Sequence, residues 1–391
     1  MNTQERSILF VTAFGHSVCH INILVFAGIL IPISQAFHMT LSEITRIGTL
    51  SYFLFGLGAF PAGLLAQKTN ARFTLRLFFA SSAAASLFIA LSNTALGFSI
   101  GLALLGAFGS LYHVSGLTLI SQGVRRKGKM LGFHGIAGSA GLAIAPILSS
   151  VIASLAGWQM VYLFVSLLGL IGFIFTSVNP HIPKAHILTE QKRAQGPIQT
   201  PALGTFILLL GIMACNGLVY RGFMTILPTY FAQKIAIGNW SSLITGGAVT
   251  TLILSVGMLG QFTGGYLSDK HDSKWLYFIT VCCSIPFLFA MGFLNNIPLI
   301  AVSVFFALFH FPQQPIENHL IAKMIPSKWI SSAYGIKFST TFGIGAFSTG
   351  LVGIIADKWS MVVIYPFLSI LVIFAATGLF LFVRGFKADN L

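Results

Sequence analysis

Nine polar side chains interrupt stretches of sequence that otherwise read as hydrocarbon: His16, His20, His113, His134, Arg221, His310, Gln314, Glu317 and Lys337. Imidazole titrates near neutrality, so the histidines can take up or release protons, or greet an anion. Arg221 stays charged and presents a planar fork suited to a carboxylate, phosphate or phosphonate. Glu317 is the one acid deep inside an apolar run. It stands near the end of its run and Lys337 near the start of the next, so antiparallel neighbours bring them to similar depth. An ion pair is expected there, either as a strut or as a proton-exchanging pair in which Lys337 alternates between Glu317 and an anion. His16 and His20 have the i,i+4 spacing of metal ligands, but no carboxylate or thiolate of matching geometry accompanies them on that run, although Cys19 is near. They are read as packing or substrate contacts, and no metal or other cofactor is assigned.

An ionisable group at the centre of a membrane helix costs about 2.5–3.5 kcal/mol on insertion scales, which makes each ionisable residue among these a functional candidate. The membrane setting follows from composition. Of 391 residues only 8% are charged and 13% are aromatic, against about 25% charged in soluble domains, and the mean hydropathy is +0.87. Twelve apolar runs are each long enough to span a bilayer: roughly 7–36, 41–66, 73–91, 96–122, 130–155, 159–178, 203–232, 241–268, 276–294, 297–322, 330–356 and 361–384. The first is too long for a signal-peptide core and is kept as a span. The one long polar break, 179–202, divides residues 1–178 from 203–391, six runs from six.

Most of the 22 Lys and Arg fall in loops on one side if the N-terminus is inside; Arg46, Lys234 and Lys358 alone fall on the other, with Arg221 and Lys337 inside runs. The positive-inside rule then places both ends in the cytoplasm. The net charge of +14 is explained the same way, and no nucleic-acid partner is expected. The knot Arg125, Arg126, Lys127, Lys129 is the loop between the fourth and fifth runs. Its "GVRRKGKM" satisfies G-x-x-x-x-G-K, yet Met130 stands where a phosphate loop needs Ser or Thr, and an apolar span precedes it instead of a strand. With no nucleotide site, any pumping must draw on an ion gradient. The four cysteines lie in apolar runs and frame no disulfide scaffold.

The two halves repeat. "FPAGLLAQKTNAR" (60–72) aligns with "FTGGYLSDKHDSK" (262–274), and "LYH" (111–113) with "LFH" (308–310), so His113 and His310 are mates. "LGFHG" aligns with "AYGIKF", pairing His134 with Lys337, and Trp158 pairs with Trp359. Such internal symmetry is characteristic of secondary transporters. In the second half, Gln313, Gln314 and Asn318 cluster around Pro312 and Pro315, which break the tenth run near its middle and expose backbone there.

This pattern resembles the major facilitator superfamily over essentially the whole chain. The family's loop signature is carried by Gly63, Lys68 and Arg72, with Gln67 at the usual Asp, and again by Gly265, Asp269 and Lys270. The resemblance implies a cytoplasmic gate at these residues, its charged latch in doubt where Gln67 stands. A helix-5 signature common among antiporters is matched by Gly132, Gly141 and Pro146, with Ala145 and Ser149 replacing two glycines. "LYHVSGLTLIS…GKMLGFHGIAGSAG" is similar to the fosmidomycin-resistance branch of exporters. The resemblance implies an all-α fold of twelve transmembrane helices in two pseudo-symmetric six-helix bundles, with helices 1, 4, 7 and 10 lining a cavity.

The expected function is therefore secondary active transport of a small organic, anionic solute, by proton-coupled efflux and alternating access, in a bacterial inner membrane. The inventory, cationic or neutral apart from one acid, disfavours lipophilic cations. The alternatives are uptake of an organic anion, by symport or uniport, transport of a metal chelate or siderophore, and a membrane receptor without flux. Enzyme chemistry is not expected, because no nucleophile–base pair stands at motif spacing. Substrate, protons and the lipid bilayer are the expected partners, and the chain is expected to be a monomer.

Overall fold

The computed structural model describes residues 1–185, 203–325 and 330–385. Most of the polar break, 186–202, lies outside them, as do 326–329 and 386–391. In hydrocarbon every backbone amide must find its partner within its own segment, which leaves the apolar runs one solution, the helix. Among the described residues twelve helices are long and apolar enough to cross a membrane.

In the first half these are α1 (Thr3–Gly28, continued by Leu30–Phe37), α2 (Leu41–Lys68), α3 (Ala71–Leu91), α4 (Ala95–Gly109 and Leu111–Gly123), α5 (Lys127–Ala156) and α6 (Trp158–Val178). In the second they are α7 (Leu203–Lys234), α8 (Ser242–Ser268), α9 (Ser273–Met291), α10 (Asn296–His310 and Gln313–Met324), α11 (Ile330–Phe338 and Gly345–Lys358) and α12 (Met361–Gly385). Polar residues at the ends set the boundaries. Asn2 with Glu5, and Thr40 with Glu43, form reciprocal capping boxes on α1 and α2, each satisfying amides that a helix start leaves free. Gly157, at φ 90, makes the turn from α5 to α6, a conformation that a side chain resists.

Packing follows the repeat. Helix α1 packs on α5 as α7 does on α11, and α3 on α6 as α9 does on α12. Between the halves, α2 packs on α11 and its mate α8 packs on α5. Large apolar side chains such as Phe60, Leu155, Phe262 and Ile297 stay exposed on the outside, where lipid is the solvent. The halves seal at the end away from the termini. There the Ser42 amide donates to Asp357 Oδ2 (2.7 Å). A Cβ on Gly353 would collide with Thr45, and one on Gly247 with Ser150 and the Pro146 carbonyl. Small residues let the backbones approach to this distance. The bend at Pro146 also leaves the Ile147 amide to donate across the interface to Thr251 Oγ1 (3.2 Å). Toward the termini the helices part: nothing lies within 4 Å of where a Cβ would stand on Gly63, Gly132 or Gly335.

Three spans carry irregularities at cavity depth. Helix α4 breaks at Ser110, three residues before His113, and α10 breaks at Phe311–Pro312, directly after His310. Helix α11 widens into a π-helical turn over Ser339–Ile344, just beyond Lys337. Such turns inside α-helices frequently mark functional sites.

Candidate functional site

Between the halves lies a cavity of about 370 Å3. Its polar lining comes from both: His16, His20, His113 and His134 from the first half, Arg221, Gln261, Gln314 and Asn318 from the second. Helices α1, α4 and α5 therefore bring three histidine-bearing segments to one wall, while α7, α8 and α10 supply the facing wall.

The imidazoles form a cluster. His16 Nδ1 donates to the His134 carbonyl (2.7 Å), and the two rings stack with centroids 4.0 Å apart. His20 Nε2 and His16 Nε2 are 3.1 Å apart. The His113 ring stands edge-on to His16 and His20, at 5.3 and 5.8 Å. The His134 ring, buried, also meets the Tyr112 hydroxyl (3.4 Å), and that hydroxyl in turn donates to the Thr12 carbonyl. Gly138 gives the cluster its room, since a Cβ there would strike the His16 ring.

Across the cavity Arg221 is buried, its guanidinium 3.9 Å from the centre of the Tyr52 ring. Among the described residues no carboxylate pairs with it, and its Nε has no hydrogen-bond partner. Tyr52 is held by its own hydroxyl, which donates to the Ile23 carbonyl (2.8 Å). A buried guanidinium with an unpartnered Nε has a charge-assisted hydrogen bond to offer an anion.

A second, smaller pocket of about 50 Å3 adjoins the first and is lined by Asn216, His310, Gln313, Glu317, Lys337 and Thr341 among others. Lys337 Nζ lies 2.9 Å from Glu317 Oε2, with both side chains almost wholly buried. The other carboxylate oxygen accepts from Tyr277 (2.6 Å), whose hydroxyl accepts from Asn216 Nδ2 (2.6 Å). Lys337 also donates to Asn318 Oδ1 (2.7 Å). Asn216 Oδ1, His310 Nδ1, Gln313 Oε1 and Thr341 Oγ1 have no protein partner. Four such atoms around a space of this size make it polar and roomy enough for water.

The repeat mates are placed differently. His113 joins the imidazole cluster, whereas His310 is sandwiched between Phe306 and Tyr220. Gln314 accepts from Gln261 Nε2 (3.4 Å), and Gln261 Oε1 accepts from Ser139 of α5 (3.2 Å). In the loop signature, Arg72 spends its donors within the first half, on the Thr176, Ser177 and Ile182 carbonyls (3.0–3.1 Å). It thereby closes the end of α6, a favourable place for a cation. Lys270 donates to Tyr266, Asp269 caps α8, and a Cβ on Gly265 would stand 3.9 Å from Pro315 of α10. The Gln67 side chain lies outside what the structure describes. In α5, Gly132 faces open space, Gly141 packs against the Ser17 backbone, and Pro146 meets Gly28 and Gly247.

Sequence reasoning passed over Tyr52 and Tyr277, which hold Arg221 and Glu317 from helices α2 and α9. Nothing in their local sequence distinguishes them from other membrane tyrosines. In sequence Asn318 stands out only as part of a proline-centred cluster, and its contact with Lys337 comes from the packing of α10 on α11.

A model of the Major Facilitator Superfamily matches residues 9–349. Among solved structures, a bacterial homolog of the human lysosomal transporter Spinster, in an inward-facing and unoccupied conformation, is similar with a TM-score of 0.79. It shares 14% identity, with 99% of this chain and 98% of that one covered. A D-xylose–proton symporter is similar with a TM-score of 0.77, 14% identity and coverage of 96% and 97%. No curated protein sequence matches.

Proposed function

The chain belongs to the major facilitator superfamily and is a multi-pass membrane transporter, not an enzyme; from that premise we propose that it exports a small organic anion by proton-coupled antiport. The observation that carries this reading is the buried, carboxylate-free Arg221 in a cavity whose other ionisable groups are imidazoles. An anion entering there gains charge-assisted hydrogen bonds that the protein itself leaves unused. A lipophilic cation would find no carboxylate in the lining of this cavity.

Proton coupling rests on the Glu317–Lys337 pair. Protonating Glu317 releases Lys337, and the small pocket beside them adjoins the cavity through Gln261 and Gln314, which line both. With the basic loops in the cytoplasm, the parted end faces inward, ready to load an export substrate. The stretches around His113 and His134 support a place in the fosmidomycin-resistance-type branch, in a bacterial inner membrane. The gate assigned to Gly63, Lys68, Arg72, Gly265, Asp269 and Lys270 belongs to this reading, closing the parted end when the halves rock.

Thermal unfolding of purified protein in detergent, against a panel of organic phosphonates, carboxylates and cations, tests the solute class. Stabilisation by one anionic class, absent in Arg221→Gln, is expected. Stabilisation by cations, or anion stabilisation that survives Arg221→Gln, overturns it.

A further inference from the structure

The tautomer of His16 is fixed by its surroundings. Its Nδ1 can only donate to the His134 carbonyl at 2.7 Å, because a carbonyl oxygen accepts. That leaves Nε2 as a bare lone pair directed at His20 Nε2, 3.1 Å away. An imidazole held through one nitrogen by a backbone carbonyl, with the other nitrogen free, is the usual arrangement of a metal-ligating histidine.

A third imidazole is in place. One nitrogen each from His16, His20 and His113 lies within 4.8 Å of the other two. A tetrahedral ion with bonds of about 2.0–2.1 Å sets its ligand nitrogens about 3.3 Å apart. His16 and His20 already stand close to that separation, and the His113 nitrogen, within 4.8 Å of both, must move by up to about 1.5 Å to complete the set. His20 would shift its proton from Nε2 to Nδ1 on binding. His134 holds His16 through its carbonyl and its ring stacks behind, so it positions the set without joining it.

We propose that His16, His20 and His113 form a site for a borderline divalent transition-metal ion, such as zinc or cobalt, with a fourth position open to the cavity. Three neutral nitrogens and one open position make a ligand set suited to these ions and unsuited to magnesium or calcium, which require oxygen. All three histidines line the 370 Å3 cavity, so an ion has a way in and a second ligand has room. Arg221 lines the same cavity, and its charge together with the ion's selects an anionic group for the fourth position. The site rests on imidazole geometry alone and stands whether or not transport is proton-coupled.

Cobalt titration of the purified full chain, carrying no polyhistidine tag, tests it through the visible bands of four-coordinate Co2+. The bands should saturate at one ion per chain and vanish when Zn2+ is added. Affinity should fall at least about tenfold in His20→Asn and in His113→Asn, and persist in Arg221→Gln and His310→Asn. Unfolding temperatures close to wild type in the two histidine variants establish that they fold. No bands in the wild type, or bands unaltered by His113→Asn in folded protein, would overturn the site.

Discussion

Arg221 of the second half lies 3.9 Å over the ring of Tyr52 of the first, so the one buried guanidinium in the cavity is held across the very interface that alternating access must rearrange. The ring face offers the cation partial compensation and leaves its Nε without a partner. An anion can therefore displace the contact rather than compete with a carboxylate. Arg221→Lys keeps the charge but loses the fork. A charge-assisted hydrogen bond is worth about 1.5–3 kcal/mol, so solute affinity should weaken about tenfold to a hundredfold, read by ligand-induced stabilisation. Unchanged affinity in Arg221→Lys would show that the fork does not hold the solute.

The Glu317–Lys337 pair separates strut from mechanism. Removing one partner of a buried pair costs about 3–5 kcal/mol, because it strands the other charge. Lys337→Met should therefore unfold at markedly lower temperature than wild type. Glu317→Gln with Lys337→Met should recover most of that loss and still fail to couple solute to protons. Recovery of both stability and coupling would reduce the pair to a strut.

The apolar runs, the two halves and the placement of ionisable residues on a few helices were all legible in the chain, because lipid punishes any charged residue that has no task. The Glu317–Lys337 meeting was legible for the same reason: two charges at equal depth on consecutive helices have few other partners. The imidazole cluster was not. His16 and His20 are one turn apart, but His113 arrives from α4 and the His134 carbonyl from α5, and only packing assembles them. The contacts of Arg72 with the end of α6 and with Ile182 were not legible either, because they are set by the fold of 179–185 over α3 and leave no mark in the loop signature. The π-helical turn after Lys337 likewise has no local mark beyond Thr341 and Gly343.

Glycine 138 supplies a test of the cluster that leaves its histidines intact. In Gly138→Ala the new methyl meets the His16 ring, and overpacking of this kind costs about 1–3 kcal/mol. Solute-induced stabilisation should weaken with it. Gly132→Ala, where nothing stands within 4 Å, should melt like wild type. Equal melting of the two variants would mean that His16 has more freedom than its contacts allow.

The sealed end can be locked. In a background without the four native cysteines, Ser42→Cys with Asp357→Cys joins α2 to α11 where the Ser42 amide now meets the Asp357 carboxylate. Oxidation should stop solute flux and reduction should restore it. Full flux in the crosslinked protein would show that this contact persists throughout the cycle, contrary to rocking halves.

Proton coupling itself is tested most directly in liposomes containing the purified protein and a trapped pH-sensitive dye, with an anion from the stabilising class added across a proton gradient. Coupled antiport predicts proton movement that requires the anion, opposes its flux, and is lost in Glu317→Gln while the anion still binds. Proton movement that survives Glu317→Gln, or anion flux without any proton movement, would contradict it.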